Sequence, residues 1–321
     1  MAYSEEVNNL RADLEAARAE VKILKQSVFG YSQIKDDPKA FTFYTGLPST
    51  ALFMWLLLLC QRALLWKKVS KTLVGWHDQM LMVLMKLRLG LKDTDISYRF
   101  KVHRTLISRL MRAWIPKMAL VLKQTIQWPS RIAVSQHLPQ CFKKKFKRCV
   151  AIIDCTEIFI ERATNLTARS QTWSNYKHNN TVKYFIAITP SGAISFLSKG
   201  WGGRVSDKEL VASSGFLQKL DHGDEVLADR GFNIKEELAM VGARLRVPAF
   251  TKGKQQLSKK EVDTSRQLSR VRIHVERVIG RMKVFKILQT TLPTTQVDML
   301  DDITTICAGL TNLNKSVVPK K

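Results

Sequence analysis

Three acidic residues, far apart in the chain, sit where a carboxylate has to be accounted for. Asp154 closes the apolar run Val150-Ala151-Ile152-Ile153, and Asp229 closes Val226-Leu227-Ala228 ahead of Arg230-Gly231-Phe232. A carboxylate at the end of a buried strand is costly unless it is solvated, paired or bound to a cation. Glu276 lies in RVRIHVERVIGRMK (270–283), a helical pattern with Val271, Val275, Val278, Ile279 and Met282 as its apolar part. Arg272, Glu276, Gly280 and Lys283 share another line of that helix. Gly280 is expected to let a backbone or a ligand come close, and the flanking cations suit an anionic substrate. Two divalent cations about 3.5–4 Å apart can activate a water or a 3′-hydroxyl and stabilise the leaving oxygen in phosphodiester cleavage. Magnesium needs only a few carboxylates beside waters and substrate oxygens, so three remote acids suffice without histidine or cysteine. Taken singly, a strand-end aspartate is more often a cap or a turn residue. The order Asp, Asp, Glu on strand, strand and late helix raises the metal reading.

A second group of side chains points at polyanions. Residues 76–118 read as helix, short helix, turn and basic helix: His77 to Arg88 stopping at Gly90, then Asp93 to Phe100 with Asp93 as cap and Ile96 inward. Lys101-Val102-His103 makes the turn, and a third helix begins at Arg104. Its Leu106, Ile107, Leu110, Met111 and Trp114 form one face, and Arg104, Thr105, Ser108, Arg109 and Arg112 share the other. Such side chains hydrogen-bond phosphates and guanine edges. Most basic helices are only solvated surfaces. The order of short helix, three-residue turn and basic helix favours a helix-turn-helix.

The elements that must position these groups divide the chain. Lysine and arginine number 52 against 27 acids, a formal charge of +25 over 321 residues, which draws the protein to nucleic acid first. The 45% apolar content supports a buried core. Five scattered cysteines (Cys60, Cys141, Cys149, Cys155, Cys307), without a C-x-x-C pair, argue against a disulfide scaffold or structural zinc. The longest apolar run, Ala51 to Cys60, is far short of the roughly 20 residues that span a bilayer, so no membrane partner is expected. Val7, Leu10, Leu14, Ala17, Val21, Leu24 and Val28 follow a heptad spacing, and Asp13 and Glu20 at g face Arg18 and Lys25 at the following e positions of a parallel partner. This predicts either a homodimer through residues 7–28 or a helix packed on its own body. The expected division is a coiled-coil helix at 1–30, a helical connector at 31–72, a helix-turn-helix DNA-binding domain at 73–140 and an α/β domain at 141–321. In the last, strands at 149–154, 158–160, 182–189 and 193–198 precede alternating helix and strand. That pattern predicts a mixed sheet with one parallel half.

Four motifs in order, Asp154-Cys155-Thr156-Glu157, Gly202-Gly203-Arg204-Val205-Ser206-Asp207, Ala228-Asp229-Arg230-Gly231-Phe232 and Arg272-Ile273-His274-Val275-Glu276-Arg277, resemble the DDE endonuclease domain of PIF/Harbinger-type transposases. Residues 73–120 resemble the helix-turn-helix ahead of it in the same family, so the resemblance covers about three quarters of the chain. It implies a ribonuclease H-like fold, a mixed five-stranded sheet flanked by helices, and Mg²⁺- or Mn²⁺-dependent DNA cleavage and strand transfer. Asp154, Asp229 and Glu276 match the family's three catalytic, metal-holding carboxylates. Asp207 is expected to cap a helix. Some relatives carry an N-terminal zinc-binding domain, and no such cysteine-histidine cluster occurs before residue 60. Recognition of DNA ends is therefore expected from elsewhere, including a separate transposon-encoded DNA-binding protein.

Several further features gain roles from this resemblance. Arg272, Lys283, Lys252, Lys254, Lys259 and Lys260 are expected to hold the DNA backbone. Trp173, Tyr176, Lys177 and His178 are placed to flank a cleaved strand, with core packing the stronger expectation for Trp173. The run Lys143 to Arg148 reads as a nuclear import signal, a phosphate-contacting edge or a solvated charge run. A nuclear location is expected. The competing reading is a domesticated, non-catalytic DNA-binding protein acting through the helix-turn-helix.

Overall fold

The computed structural model describes residues 2–27, 29–64, 74–249 and 258–319. Val28, Lys252 and Lys254 lie outside these, as do the side chains of Glu20, Val21, Leu24, Lys25 and Lys260. The heptad segment is a helix, α1 (Ala2–Ser27). Its described side chains from 6 to 19 are all exposed, so this stretch of the seam is not packed on the protein's own body. Helices α2 (Pro38–Thr45) and α3 (Thr50–Leu64) follow. Among the described residues no single helix is long and apolar enough to cross a membrane.

The helix-turn-helix forms as its spacing predicts. Helix α4 (Trp76–Leu89) is buried almost all round and ends where Gly90 turns left-handed, at φ 67°. Helix α5 (Asp93–Phe100) has Lys92 at its N-cap position with no side chain capping it, and Asp93 is its first helical residue. Asp93 instead accepts an ion-paired bond from Lys86 Nζ at 2.6 Å, compensating a cation buried within α4. A buried ammonium without such a partner would be far costlier than an uncapped helix start. Lys101 adopts φ 52° in the turn, and His103 caps α6 (Arg104–Lys123) by accepting from the Thr105 amide. Ile107, Leu110, Met111 and Trp114 are buried, while Arg104, Thr105, Ser108, Arg109 and Arg112 are exposed together.

The α/β part is built on one long strand. β1 (Cys149–Phe159) pairs antiparallel with β2 (Asn179–Ile188), which pairs antiparallel with β3 (Ile194–Leu197). On its other side β1 runs parallel to β4 (Glu225–Leu227), and β4 runs parallel to β5 (Arg244–Arg246). The sequence divides this strand into two pieces and ends the first at Asp154; the observed strand runs straight through. Polar Asp154, Thr156 and Glu157 break the apolar pattern without breaking the ladder, because backbone pairing with β2 continues from Ile152 to Phe159. Between the strands lie helices α7 (Leu166–Thr172), α8 (Asp207–Ser213) and α9 (Lys235–Met240). Ser206 caps α8, accepting from the Glu209 amide, so Asp207 is not the cap. Two last helices, α10 (Lys259–Met282) and α11 (Leu300–Asn312), cover one face of the sheet. This is the mixed α/β architecture, a curled sheet flanked by helices behind an all-helical N-terminal region, that the sequence predicts.

Period-two alternation along β1 separates two cores. Ile152 and Ile158 join Val271, Val275 and Val278 of α10, whereas Ile153 joins Leu210 of α8 and Leu238 of α9. The first core does not stop at residue 140. It continues into Trp114, Met118 and Leu122 of α6, which lies along α11. Gly309 permits this approach: a Cβ there would sit 2.8 Å from the Leu122 Cβ. Asn312 then joins three elements. Its side-chain amide donates to the carbonyls of Thr125 and Ile194, and its oxygen accepts from the Ile194 amide at 2.8 Å.

Candidate active site

The parallel register explains why two remote aspartates meet. Ile152 of β1 is level with Leu227 of β4, so two residues further on Asp154, midway along β1, comes level with Asp229, just past the end of β4. Asp154 lies on the face of β1 that α10 covers, where Glu276 sits one turn beyond Arg272. Arg272 Nη1 is 2.8 Å from Glu276 Oε1 and 3.8 Å from Asp229 Oδ2. One guanidinium nitrogen thus joins the helix acid to the acid of the β4 turn. Each aspartate also accepts at 2.8 Å from the next amide, Cys155 for Asp154 and Arg230 for Asp229.

The electrostatics confirm that the three acids share one locality. Burial pushes the Asp154 carboxyl up to about 6, the Cys155 amide and Arg272 pull it down, and Glu276 and Asp229 raise it again. Lys283, at the end of α10, donates from Nζ to the Glu157 carbonyl at 3.2 Å. Burial and then Lys177 lower its pKa, and Glu157 and Asp154 oppose them. Arg272 and Lys283 therefore set positive charge beside the acids, with Lys177 close to Lys283. Gly280 meets nothing within 4 Å of an added Cβ. No backbone approaches there, contrary to one expectation from sequence, and the line Arg272, Glu276, Gly280 is left open to a ligand.

Among the described residues, no three His, Cys, Asp or Glu side chains stand as a ready metal cage. The cation between the acids is Arg272, whose side chain is largely covered while those of Asp229 and Glu276 are about half exposed. An all-oxygen donor set held together by an internal cation is what a hard divalent ion would fit once that arginine moved aside.

The sequence reading missed the far face of β1. There Glu157, almost fully buried, accepts from Thr181 Oγ1 at 2.7 Å and lies 3.9 Å from Lys183 Nζ. Lys183 also reaches Asp207 at 3.3 Å and donates to the Val205 carbonyl at 2.9 Å. Burial raises the Cys155 thiol, and Asp207 beside it raises it further. The signal was available: Glu157 and Lys183 are opposite charges within two strand-like runs, and the register sets them opposite each other. This ion-paired layer braces the strand from behind at the point where Asp154 leaves it.

The remaining residues fall in two places. Arg104, Thr105, Ser108, Arg109 and Arg112 lie on the exposed row of α6 and do not join the acids. Arg112 is tied to Asp298 Oδ2 at 3.3 Å and to the Thr295 carbonyl. Trp173 is not in the core: it is 41% exposed, and Tyr176 is 79% exposed with Lys177 Nζ over its ring. In the run 143–148, Phe146 is buried and the five cations are exposed.

A family model described as the DDE superfamily endonuclease matches residues 153–312, and one described as the helix-turn-helix of DDE superfamily endonuclease matches residues 72–124. No curated protein matches the chain. The chain belongs to the DDE endonuclease superfamily. It has the architecture of a DDE transposase, a helix-turn-helix followed by the endonuclease domain, which supports a transposase-like nuclease function and DNA as its partner.

Proposed function

We propose that the protein is a divalent-metal-dependent DNA endonuclease of the PIF/Harbinger transposase type, with Asp154, Asp229 and Glu276 as its catalytic acids. The observation that carries this reading is the arrangement around Arg272: two acids share one guanidinium nitrogen, and the third is held beside them with its pKa raised. Mg²⁺ or Mn²⁺ would be held by these three carboxylates, where it would supply Lewis acidity to a phosphodiester and its nucleophile. The chain's own contributions follow from where its side chains sit. Arg272 and Lys283 bring positive charge to the open side of the acids and bind the DNA phosphate there. The Glu157–Lys183–Asp207 layer keeps the strand rigid behind Asp154. Arg104, Thr105, Ser108, Arg109 and Arg112 lie on the duplex. A nuclear location goes with this reading, as does a separate transposon-encoded protein that recognises the DNA ends.

The test is nicking of supercoiled plasmid by the full chain. With Mg²⁺ or Mn²⁺ the circular substrate should be relaxed, and Asp154→Ala, Asp229→Ala and Glu276→Ala should each lower the rate by at least about a hundredfold, the scale of losing a transition-state contact of a few kcal/mol. EDTA should abolish nicking but leave DNA binding in place. Full nicking by all three variants would show that these acids are not the catalytic ones. The domesticated, non-catalytic reading requires DNA binding without cleavage under either metal, and nothing in the site favours it.

A further inference from the structure

The segment between β1 and β2 builds a second cleft. Leu166, Arg169, Ser170, Trp173, Asn175 and Arg204 line it, enclosing about 390 Å³. Its wall is preformed. Asn180 Nδ2 donates at 2.8 Å to the Arg169 carbonyl and to Thr172 Oγ1, and Arg204 Nη1 donates to Ser170 Oγ at 3.0 Å. The Gly202-Gly203 pair explains the close seating of α7. A Cβ at Gly202 would lie 2.3 Å from the Gln171 carbonyl oxygen, and one at Gly203 would lie 2.1 Å from Thr181 Oγ1. No side chain fits between α7 and the sheet, so the glycines fix the cleft's floor and deliver Arg204 to its rim.

The chemistry of this lining is specific. An indole 41% exposed and a leucine 75% exposed supply a flat apolar surface. Two guanidinium groups and an amide surround it, and the lining holds no acid. A base with one face stacked on a ring and its phosphate beside arginine has this complement. A base paired within a duplex has both faces covered by its neighbours and cannot offer one. The cleft's Trp173 and Asn175 lie four and two residues before Lys177, whose Nζ sits over the Tyr176 ring.

We propose that this cleft binds an unpaired nucleotide of the DNA substrate, stacked on Trp173 with its phosphates on Arg169 and Arg204. The proposal rests on the nuclease reading and adds to it a preference for DNA that is single-stranded or opened near the cut. The test compares, by fluorescence anisotropy in EDTA, binding of the full chain to a blunt duplex and to the same duplex with an unpaired tail. The unaltered protein should bind the tailed duplex at least about fivefold more tightly, the lower range for one stacked base. Trp173→Ala should remove that margin, Trp173→Phe should restore most of it, and Arg169→Ala with Arg204→Ala should reduce it. Affinity for the blunt duplex should stay unchanged in Trp173→Ala and Trp173→Phe. A 2-aminopurine in the tail should be quenched by the unaltered protein and not by Trp173→Ala. A margin that survives Trp173→Ala, or no margin in the unaltered protein, would overturn the inference and leave the nuclease reading standing. Failure of the unaltered chain to bind either DNA would overturn both.

Discussion

Burial makes the ionised form of Asp154 costly in the metal-free protein. Its pKa rises on folding from the ordinary 3.8 to about 6, so folding shifts the metal-free acid towards its protonated form, which predominates only below about pH 6. The stability this contributes is fully present below pH 3.8 and is lost as pH rises through about 6. At pH 7.5 the ionised group costs the metal-free protein on the order of 3 kcal/mol. Asp154→Asn should therefore melt a few degrees higher than the unaltered protein in EDTA at pH 7.5, and the gap should close towards pH 5. Mn²⁺ should raise the melting temperature of the unaltered protein and leave that of Asp154→Asn nearly unchanged. A gap constant with pH would mean that Asp154 is not the strained acid. Local pattern set Asp154 and Asp229 after apolar runs and Glu276 on a helix flanked by cations, but it was the resemblance to DDE endonucleases that singled out these three among 27 acids. Arg272 between them was not legible, since a salt bridge at helical spacing shows in sequence only as a pair and gives no hint of the third partner across the sheet.

The elements were legible to the extent that their patterns are local. Gly90, the turn 101–103 and the apolar row of α6 fall where spacing puts them, because helix ends and faces depend on neighbours within a turn. Asp93 and Asp207 were misread as caps for a common reason. Each has a cation available only in the folded chain, Lys86 for one and Lys183 for the other, and a charge-assisted pair outweighs a cap of about 1 kcal/mol. The strand break at Asp154 was the same error in another form, since local polarity overrode ladder pairing that comes from β2. Within the helix-turn-helix, Arg109 and Arg112 are now distinguishable. Arg112 already has Asp298 and the Thr295 carbonyl as partners, whereas Arg109 stands exposed on the same row. Arg109→Ala should weaken duplex binding by about tenfold and lower the slope of log affinity against log salt by about one. Arg112→Ala should do less, because its ion pair is exposed and must be broken before a phosphate can take its place. Titration at several salt concentrations measures both, and equal effects would make the two arginines interchangeable on the DNA.

At the scale of the molecule, charge is unevenly shared. Residues 2–27 hold five acids and four bases, so the whole positive excess resides in the body that follows. Helix α1 thus presents Val7, Leu10 and Leu14, exposed by 37%, 63% and 51%, on a nearly neutral rod. A second copy of the same rod would cover this seam and set Asp13 against Arg18. The two bodies would then repel each other, and salt screens repulsion between exposed charges. Dimerisation through α1 should then strengthen from low to moderate salt, while DNA binding by the same protein weakens over that range. Sedimentation equilibrium of the full chain at 0.05 and 0.3 M salt (about the range in which screening lengths become short) should give a mass rising towards that of a dimer. Removal of residues 1–30, or Leu10→Asp with Leu14→Asp, should return a monomer at every salt concentration while plasmid nicking persists. A mass unchanged by the truncation would assign the seam no part in assembly, and a dimer that weakens with salt would place its interface on opposite charges elsewhere in the body.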